Sequence, residues 1–310
     1  MSQPQFISGN PAAIDKFLEG FDTFLFDCDG NFSGVLWSGD SVYENIPETL
    51  NMLKAKGKKI VFVTNNSTKS RNDYQKKLTK MGIQCELDEV FCSSYSASIY
   101  ISRILQLPEG KHKVFAIGES GMKEELESEG LVVVGGPADT YNRNIEPEDY
   151  QAMADKTALD PEVGVVLVGL DRKINYLKLS MAFHYIRNGA KFLATNIDST
   201  LPSHHTFFPG AGACSIPLVH MTGETPLALG KPGQAMMDAI EGKFQLDRAR
   251  TCMVGDRLNT DIKFGIDGKL GGTLMVLTGV NQKADFEAKD AVAVPAFYAN
   301  KLSDLLAASK

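Results

Sequence analysis

The chain has 310 residues, which is enough for two domains of ordinary size and too many for a single short module. Hydrophobic residues make up 43% and charged residues 23% of the chain, which excludes disordered and collagenous compositions and predicts a packed core. Asp and Glu number 38 against 32 Lys and Arg, and the net charge of −6 argues against nucleic acid as a partner.

Short apolar runs recur along the chain, and each is followed by Gly, Asn or Asp and then by a stretch of helical period. The runs predict strands at 23–26, 59–64, 114–117, 163–170, 192–195, 251–254 and 273–278. Helices are predicted between them at 51–56, 71–81, 121–129, 176–188 and 234–244. Because the strands are apolar along their whole length, both faces of each sheet must be buried. This predicts an α/β fold with parallel sheets covered by helices.

Polar clusters follow three of these strands, at the carboxyl ends where open α/β sheets bind their ligands. The first strand leads into Asp27-Cys28-Asp29-Gly30, the second into Thr64-Asn65-Asn66-Ser67, and the sixth into Gly255-Asp256 and then Thr260-Asp261. A fourth cluster, Leu229-Gly230-Lys231-Pro232, precedes the sixth strand. Carboxylates at two strand ends, with a hydroxyl and an ammonium group, predict a compact site for an anion and a metal ion.

These residue types supply the groups that phosphoryl transfer needs. Of Asp27 and Asp29, one carboxylate can attack phosphorus while the other donates and accepts protons. A cation must neutralise the repulsion between carboxylate and phosphate, and Mg²⁺ with Asp256 as a ligand suits that task. Thr64 and the amides after it would bind phosphate oxygens, and Lys231 would balance the charge. Each cluster alone is an ordinary turn or helix cap, but chance seldom places all four in this order.

Together the four clusters resemble the motifs of the haloacid dehalogenase superfamily, most closely its eukaryotic 4-nitrophenylphosphatase and phosphoglycolate phosphatase branch. Further similarity to that branch is carried by Leu36-Trp37, Gly169-Leu170-Asp171, Thr195-Asn196-Ile197-Asp198, Pro209-Gly210-Ala211-Gly212 and Phe297-Tyr298. The resemblance implies that Asp27 is the nucleophile and Asp29 the acid/base. It also implies that Asp27, Asp256 and the backbone carbonyl of Asp29 bind Mg²⁺, that Asp261 supports them, and that Thr64, Asn65, Asn66 and Lys231 hold the phosphate.

The spacing of the motifs leaves room for an inserted domain only between Thr64 and Lys231. By resemblance, this insertion is an α/β cap at about 108–224, and residues 1–107 and 225–310 form a Rossmann-like core with a parallel sheet. A cap of this kind excludes water and selects the leaving group, so we expect specificity to depend on cap loops such as 195–202. The resemblance also implies a possible homodimer formed through the cap.

The cap loop gives a hint about the substrate, a small phosphorylated metabolite. Pyridoxal-phosphate phosphatases of this branch anchor their substrate with a histidine, and the similar position here is Leu201. This favours 2-phosphoglycolate, with 4-nitrophenyl phosphate as an artificial substrate. A pyridoxal-phosphate phosphatase remains an alternative, since the adjacent His204 and His205 could substitute for the missing histidine.

The first motif departs from the family pattern, because Asn31-Phe32-Ser33-Gly34 intervenes between Asp29-Gly30 and the apolar pair Val35-Leu36. The extra residues either lengthen a loop harmlessly or move Asp29 away from the leaving group. A catalytically impaired binding protein is therefore a second hypothesis. A nucleotide-binding oxidoreductase is a third, suggested only by Gly118-Glu119-Ser120-Gly121, which lacks the spacing of a dinucleotide-binding loop.

The cysteines and the lack of long apolar segments indicate the cellular compartment of the protein. It has five cysteines and no C-x-x-C pair, which favours a reducing environment. Residues 1–20 contain no apolar segment of the kind found in signal peptides, and no window approaches the roughly 18 apolar residues of a membrane span. We expect a cytoplasmic location, with a nuclear one left open, and no membrane partner.

Overall fold

The structure is a computed structural model that describes residues 3–28, 34–39, 41–203 and 206–308. In these ranges the strands, in chain order, are β1 Gln5–Phe6, β2 Thr23–Asp27, β3 Trp37–Ser38, β4 Ser41–Val42, β5 Lys59–Thr64, β6 Val90–Cys92, β7 Lys113–Ile117, β8 Val132–Gly135, β9 Val163–Val168, β10 Lys191–Ala194, β11 Thr200–Ser203, β12 Thr206–Pro209, β13 Leu227–Ala228, β14 Thr251–Gly255, β15 Gly272–Val276 and β16 Phe297–Ala299.

The α-helices of the same ranges are α1 Pro11–Gly20, α2 Ile46–Ala55, α3 Arg71–Lys80, α4 Ser93–Ile99, α5 Ser120–Ser128, α6 Pro147–Ala154, α7 Tyr176–Arg187, α8 Ala211–Thr222, α9 Gln234–Phe244, α10 Lys263–Asp267 and α11 Lys283–Glu287. Short 3₁₀ turns lie at Leu87–Glu89, Asp139–Tyr141, Arg248–Arg250 and Leu302–Ala307, and π-helical turns lie at Tyr100–Ile104 and Leu258–Ile262. None of the helices in the described ranges combines the length and the apolar character that crossing a bilayer would need.

The larger sheet has the strand order β1-β16-β15-β14-β2-β5-β6, and every pairing in it is parallel. Alternate side chains of β2 point to opposite faces: Phe24 and Phe26 pack with α1, α2 and α3, whereas Leu25 packs with α4, α9 and α10. Helices therefore cover both faces, as the continuous apolar strands predict. The predicted α/β class with a Rossmann-like parallel sheet is confirmed.

The smaller sheet has the order β13-β10-β9-β7-β8 and is also parallel. On one face it packs against α6, α7 and α8, and on the other against α5 and against Ala97 and Ile101. These two residues belong to the larger domain, the name used below for the larger sheet and its helices. Four of its strands lie inside the predicted cap range 108–224, and the fifth, Leu227–Ala228, lies just beyond it. The sheet and its helices are called the cap below.

The seven strands predicted from apolar runs all occur, as β2, β5, β7, β9, β10, β14 and β15. The helix predicted at 51–56 is the second half of a longer helix, α2, which begins at Ile46 with Pro47 in its first turn. The strands that were not predicted are β1, β3, β4, β6, β8, β11, β12, β13 and β16, which have two to four residues each and are too short to show a clear periodicity.

Candidate active site

Three polar clusters meet because the strands that precede them are neighbours in the larger sheet. The strands β14, β2 and β5 lie side by side and parallel, so their carboxyl ends point to one edge. Asp27 is the last residue of β2, Thr64 is the last of β5, and Asp256 directly follows β14. All three are buried. The geometry therefore brings together side chains that are far apart in the sequence.

Lys231 joins this edge from the fourth cluster. Its ammonium group is 2% exposed and donates to Oδ1 of Asp27 at 2.5 Å, to Oδ1 of Asp261 at 2.8 Å and to the carbonyl oxygen of Val63 at 3.2 Å. Burial alone would lower the pKa of Lys231, but the two carboxylates outweigh it and raise that pKa well above its ordinary value. Lys231 is thus a permanent positive charge between two acids.

Asp27, Asp256 and Asp261 offer carboxylate oxygens that lie within 4.8 Å of one another. Asp261 is engaged by the protein, since its Oδ2 accepts from the backbone N–H groups of Asp256 at 3.2 Å and Arg257 at 3.1 Å. Asp256 accepts one bond at Oδ2, from the N–H of Val280 at 2.8 Å. Burial, and then the nearby Asp261 carboxylate, raise the pKa of Asp256 to about 7.

This donor set fits a hard divalent cation. With all three carboxylates ionised, the site would carry two negative charges in excess of its one ammonium group, and a divalent ion would neutralise them. Oxygen ligands from a small number of carboxylates are the set that Mg²⁺ prefers. The raised pKa of Asp256 is the expected mark of a carboxylate held in place without its counter-ion. Asp27 and Asp256 are the residues that would hold the metal, with Asp261 behind them.

Two glycines make room for these carboxylates. A Cβ atom on Gly279 would lie 2.0 Å from Oδ2 of Asp256, and one on Gly255 would lie 2.1 Å from Cβ of Asp261. No side chain fits at such distances, so only glycine lets the two backbone segments approach the acids. Our sequence analysis missed Gly279. It directly follows the run at 273–278, so inspecting the residues after the carboxyl end of that strand, as was done for the other strands, would have found it.

The segment after β5 shapes the opposite side of the site. Thr64 is fully buried, and its Oγ1 accepts the N–H of Asn66 at 3.0 Å. Asn65 binds the backbone of Lys231 in both directions: its Oδ1 accepts the N–H at 2.7 Å, and its Nδ2 donates to the carbonyl oxygen at 2.9 Å. Oδ1 of Asn66 accepts from both the N–H and the hydroxyl of Thr68 at 2.8 Å. Asn65 therefore positions Lys231, and Asn66 fixes the turn.

The predicted acid/base, Asp29, lies outside the described residues, as do Asn31, Phe32 and Ser33 of the insertion. Gly34 is described, and its carbonyl oxygen accepts the hydroxyl of Thr278 at 2.7 Å. The end of the insertion is therefore tied to the loop that carries Gly279. The catalytic role of Asp29 and the effect of the insertion stay predictions.

A cavity of about 100 Å³ opens over the carboxylates, between the larger domain and the cap. Its described lining has three parts, the acidic site, the segment after β5 and several cap residues, and the cap residues are Leu170, Asn196, Asp198, Thr200, Leu201, Gly210 and Ala211. Leu201 therefore faces the cavity above the carboxylates. His204 and His205 lie outside the described residues. Asn196 and Asp198 were part of the predicted specificity loop, but Arg257, which also lines the cavity, was not singled out.

The glycine-containing turn at 118–121 serves packing. A Cβ atom on Gly121 would lie 2.3 Å from the backbone carbon of Lys69, so the start of α5 presses directly on the larger domain. The turn therefore has a packing role, and its sequence lacks the glycine spacing of a dinucleotide-binding loop.

Comparison with known proteins assigns the chain to a family. A profile described as "Haloacid dehalogenase-like hydrolase" matches residues 24–132, and a second, HAD-hydrolase-like profile matches residues 228–305. The chain is 44% identical over 297 residues to a 4-nitrophenylphosphatase of Schizosaccharomyces pombe, across 96% of this chain and 97% of the relative. It is 43% identical over 297 residues to phosphoglycolate phosphatase 1A, chloroplastic, of Arabidopsis thaliana, across 94% of this chain and 78% of the relative.

A solved structure extends the similarity to the whole architecture. The crystal structure of a glycerol phosphate phosphatase from Mycobacterium tuberculosis in complex with magnesium superposes with a TM-score of 0.75 at 26% identity. The match covers 93% of this chain and 77% of that one. Both the larger domain and the cap therefore have a counterpart in a known structure.

Proposed function

The chain belongs to the haloacid dehalogenase-like hydrolases and is a phosphoric monoester hydrolase, and we propose that it is a Mg²⁺-dependent phosphatase acting through an aspartyl-phosphate. The observation that carries the mechanism is the position of Lys231, bound to both Asp27 and Asp261, with Asp256 beside them. We propose 2-phosphoglycolate as the preferred substrate and 4-nitrophenyl phosphate as an artificial one.

Asp27 is the proposed nucleophile. It ends a buried strand, so its backbone is rigid, and Lys231 holds one of its oxygens. Attack on phosphorus forms a bond from a carboxylate oxygen of Asp27 and breaks the bond between phosphorus and the leaving oxygen. Thr64, the amides of Asn65 and Asn66, and the ammonium group of Lys231 are proposed to bind the phosphoryl oxygens. Asp29 would donate a proton to the leaving oxygen. It would later take a proton from the water that attacks phosphorus, which breaks the bond between phosphorus and Asp27 and releases phosphate.

Mg²⁺ is supported by the donor set and by the magnesium complex of the mycobacterial relative. Asp27, Asp256 and the carbonyl oxygen of Asp29 would hold it, and the ion would neutralise charge between the carboxylates and the phosphate. Asp261 accepts two backbone N–H bonds and the Lys231 ammonium, so its part is to fix Lys231 and the turn after β14.

The size and charge of the cavity support a small anionic substrate. Its volume of about 100 Å³ is well below the 300–1,000 Å³ of most drug-sized pockets. By resemblance, Leu201 corresponds to the histidine of pyridoxal-phosphate phosphatases, and we propose that the ring of pyridoxal phosphate therefore lacks an anchor here. Arg257 is the one cation other than Lys231 among the described lining residues, and we propose that it binds the carboxylate of 2-phosphoglycolate.

The proposal is tested by phosphate release from 2-phosphoglycolate, 4-nitrophenyl phosphate and pyridoxal phosphate, with Mg²⁺ and with a chelator. We expect release that requires Mg²⁺ and favours 2-phosphoglycolate, and a loss of at least about a thousandfold in kcat for Asp27→Asn. Arg257→Met should lower kcat/KM for 2-phosphoglycolate by about tenfold or more and affect 4-nitrophenyl phosphate less.

A version without residues 31–34 separates the enzyme from the binding-protein hypothesis. Similar turnover in both chains means that the insertion is a tolerated loop. Turnover only in the shortened chain would refute the proposed activity for this protein and favour a binding role. The homodimer through the cap remains a prediction, which light scattering of the purified chain would test.

A further inference from the structure

Several of the hydrogen bonds between the cap and the larger domain fall on one short segment, residues 65–71, which directly follows the proposed phosphate-binding Thr64. Five cap residues form hydrogen bonds with this segment. At its start, Asn65 Nδ2 donates to Asp198 Oδ2 at 3.1 Å, and Asn196 Nδ2 donates to the carbonyl oxygen of Asn65 at 2.7 Å. Further along, the N–H of Leu170 donates to Ser67 Oγ at 3.4 Å, the N–H of Gly121 donates to the carbonyl oxygen of Thr68 at 3.2 Å, and Glu125 accepts from Arg71. The segment is called the phosphate loop below. Its course depends on the cap as well as on its own domain.

The contact between Glu125 and Arg71 differs from the others because it is a buried ion pair. Glu125 lies on α5 and is 3% exposed. Its Oε1 accepts the backbone N–H of Arg71 at 2.6 Å, and its Oε2 accepts Nε of the same residue at 2.8 Å. The guanidinium group of Arg71 also lies over the ring of Tyr95, 3.3 Å from its centroid. One cap carboxylate thus fixes both the main chain and the side chain at the end of the phosphate loop.

The two ends of the phosphate loop are held in different ways. Asn65 is bound to the backbone of Lys231, and its carbonyl oxygen accepts the hydroxyl of Ser93 at 2.6 Å, so the first end is fixed largely by the larger domain. At the other end, Arg71 begins α3, where N–H groups have no partner inside the helix. Glu125 supplies that partner from the cap. The second end is therefore fixed by the cap as well as by the packing of α3 on the larger sheet.

A buried ion pair is a costly way to gain stability, since removing two charges from water offsets most of their attraction. Apolar residues of similar volume would join the cap to the larger domain equally well. The charged pair differs from an apolar contact because its two short hydrogen bonds, both to one carboxylate, fix the position of Arg71. A shift of Arg71 would move the phosphate loop and weaken the bonds that its groups are proposed to make to phosphate.

We propose that Glu125 is a positioning residue, by which the cap fixes the phosphate loop through Arg71 in the geometry that binds the phosphate group. This inference rests on the proposed phosphatase function and extends it, because it assigns the cap a part in binding phosphate as well as in selecting the leaving group. Glu125 itself does not line the cavity and touches no reacting atom.

Glu125→Gln tests this role, and Glu129→Gln is its matched control. Glu129 lies one turn further along, at the end of α5, and also binds an arginine outside the cap sheet, Arg103, at 2.6 Å. That arginine is not part of the phosphate loop. Both variants keep the volume of the side chain and remove one charge from an ion pair of α5. The Arg103–Glu129 pair is the more exposed of the two, so the unfolding temperature of each variant is measured beside its phosphate affinity.

The measured quantities are kcat, KM and the inhibition constant of inorganic phosphate, in Mg²⁺ and well below the unfolding temperature. For Glu125→Gln we expect KM and the inhibition constant to rise together by about tenfold while kcat changes less. Glu129→Gln should stay within about twofold of the unsubstituted protein. Arg71→Lys keeps the backbone bond to Glu125 and the positive charge, so KM and the inhibition constant should rise less. This variant replaces Glu125→Gln as the test if Glu125→Gln folds poorly.

Two results overturn the proposal: equal inhibition constants in the Glu125 and Glu129 variants, or a fall in kcat with unchanged KM and inhibition constant. A purely structural role would lower the unfolding temperature without moving the phosphate affinity. If the unsubstituted chain releases no phosphate, the proposed function fails, and calorimetric binding of inorganic phosphate with Mg²⁺ then decides the role of Glu125. Weaker binding to Glu125→Gln than to Glu129→Gln supports it, and equal binding refutes it.

Discussion

Replacing Asp256 with Asn should stabilise the metal-free protein at neutral and alkaline pH. Asp256 is 1% exposed and shares its site with two other buried carboxylates. Its burial and the charge of Asp261 raise its pKa to about 7, whereas an Asp in an unfolded chain has a pKa of about 4. Asn has nearly the same shape, and its oxygen can still accept the N–H of Val280, so the substitution removes mainly the charge.

The direction of the pH effect follows from proton binding. Between about pH 4 and pH 7 the folded state holds a proton on Asp256 that the unfolded chain has released. The stability that this carboxyl contributes is therefore fully present below about pH 4 and is lost as the pH rises through about 7. The pKa of Asp256 differs by about three units between the folded and the unfolded state, which corresponds to about 4 kcal/mol of unfolding free energy.

Thermal unfolding in a chelator, at pH 4.5 and at pH 8, measures this effect. Asp256→Asn should match the unsubstituted protein at pH 4.5 and unfold several degrees higher at pH 8. Adding Mg²⁺ at pH 8 should stabilise the unsubstituted protein and leave the variant nearly unchanged, because the ion replaces the missing proton as the counter-charge. The control is Asp267→Asn, an exposed acid paired with Lys263, which should show neither effect. Equal unfolding temperatures of Asp256→Asn and the unsubstituted protein at pH 8 would refute the reasoning.

Two other predictions concern the same site. Lys231→Met removes the ammonium partner of two buried carboxylates, so we expect the metal-free protein to lose about 3–5 kcal/mol of unfolding free energy; an unchanged denaturation midpoint would contradict this. Gly279→Ala would bring Cβ to 2.0 Å from Oδ2 of Asp256, so the half-saturating Mg²⁺ concentration for turnover should rise by about tenfold or more. An unchanged Mg²⁺ requirement would show that the loop moves to accept the methyl group.

The sequence alone was sufficient to predict the fold class and the main strands. Runs such as 60–63 and 252–254 are apolar at every position, and only a strand covered on both faces needs that pattern, so the parallel sheets followed directly. The motifs placed Asp27, Thr64, Lys231 and Asp256 at strand ends or next to them, and a parallel sheet brings such ends to one edge. This local information needs no knowledge of how distant segments pack.

The tertiary structure decided what those residues touch. No pattern around Lys231 shows that it binds both Asp27 and Asp261, because the loop that delivers it is held by Asn65 from a distant part of the chain. The need for glycine at 279 arises only because Asp256 of another strand lies against it.

Glu125 is the clearest case of a residue that sequence reasoning could not find. In the sequence it is one of several acids on a predicted helix, and most such acids lie in solvent. Its burial and its bonds to Arg71 exist only when the cap packs against the larger domain. Short-range patterns report on strands, helices and their ends, whereas contacts between segments far apart in the chain depend on how the two domains pack together.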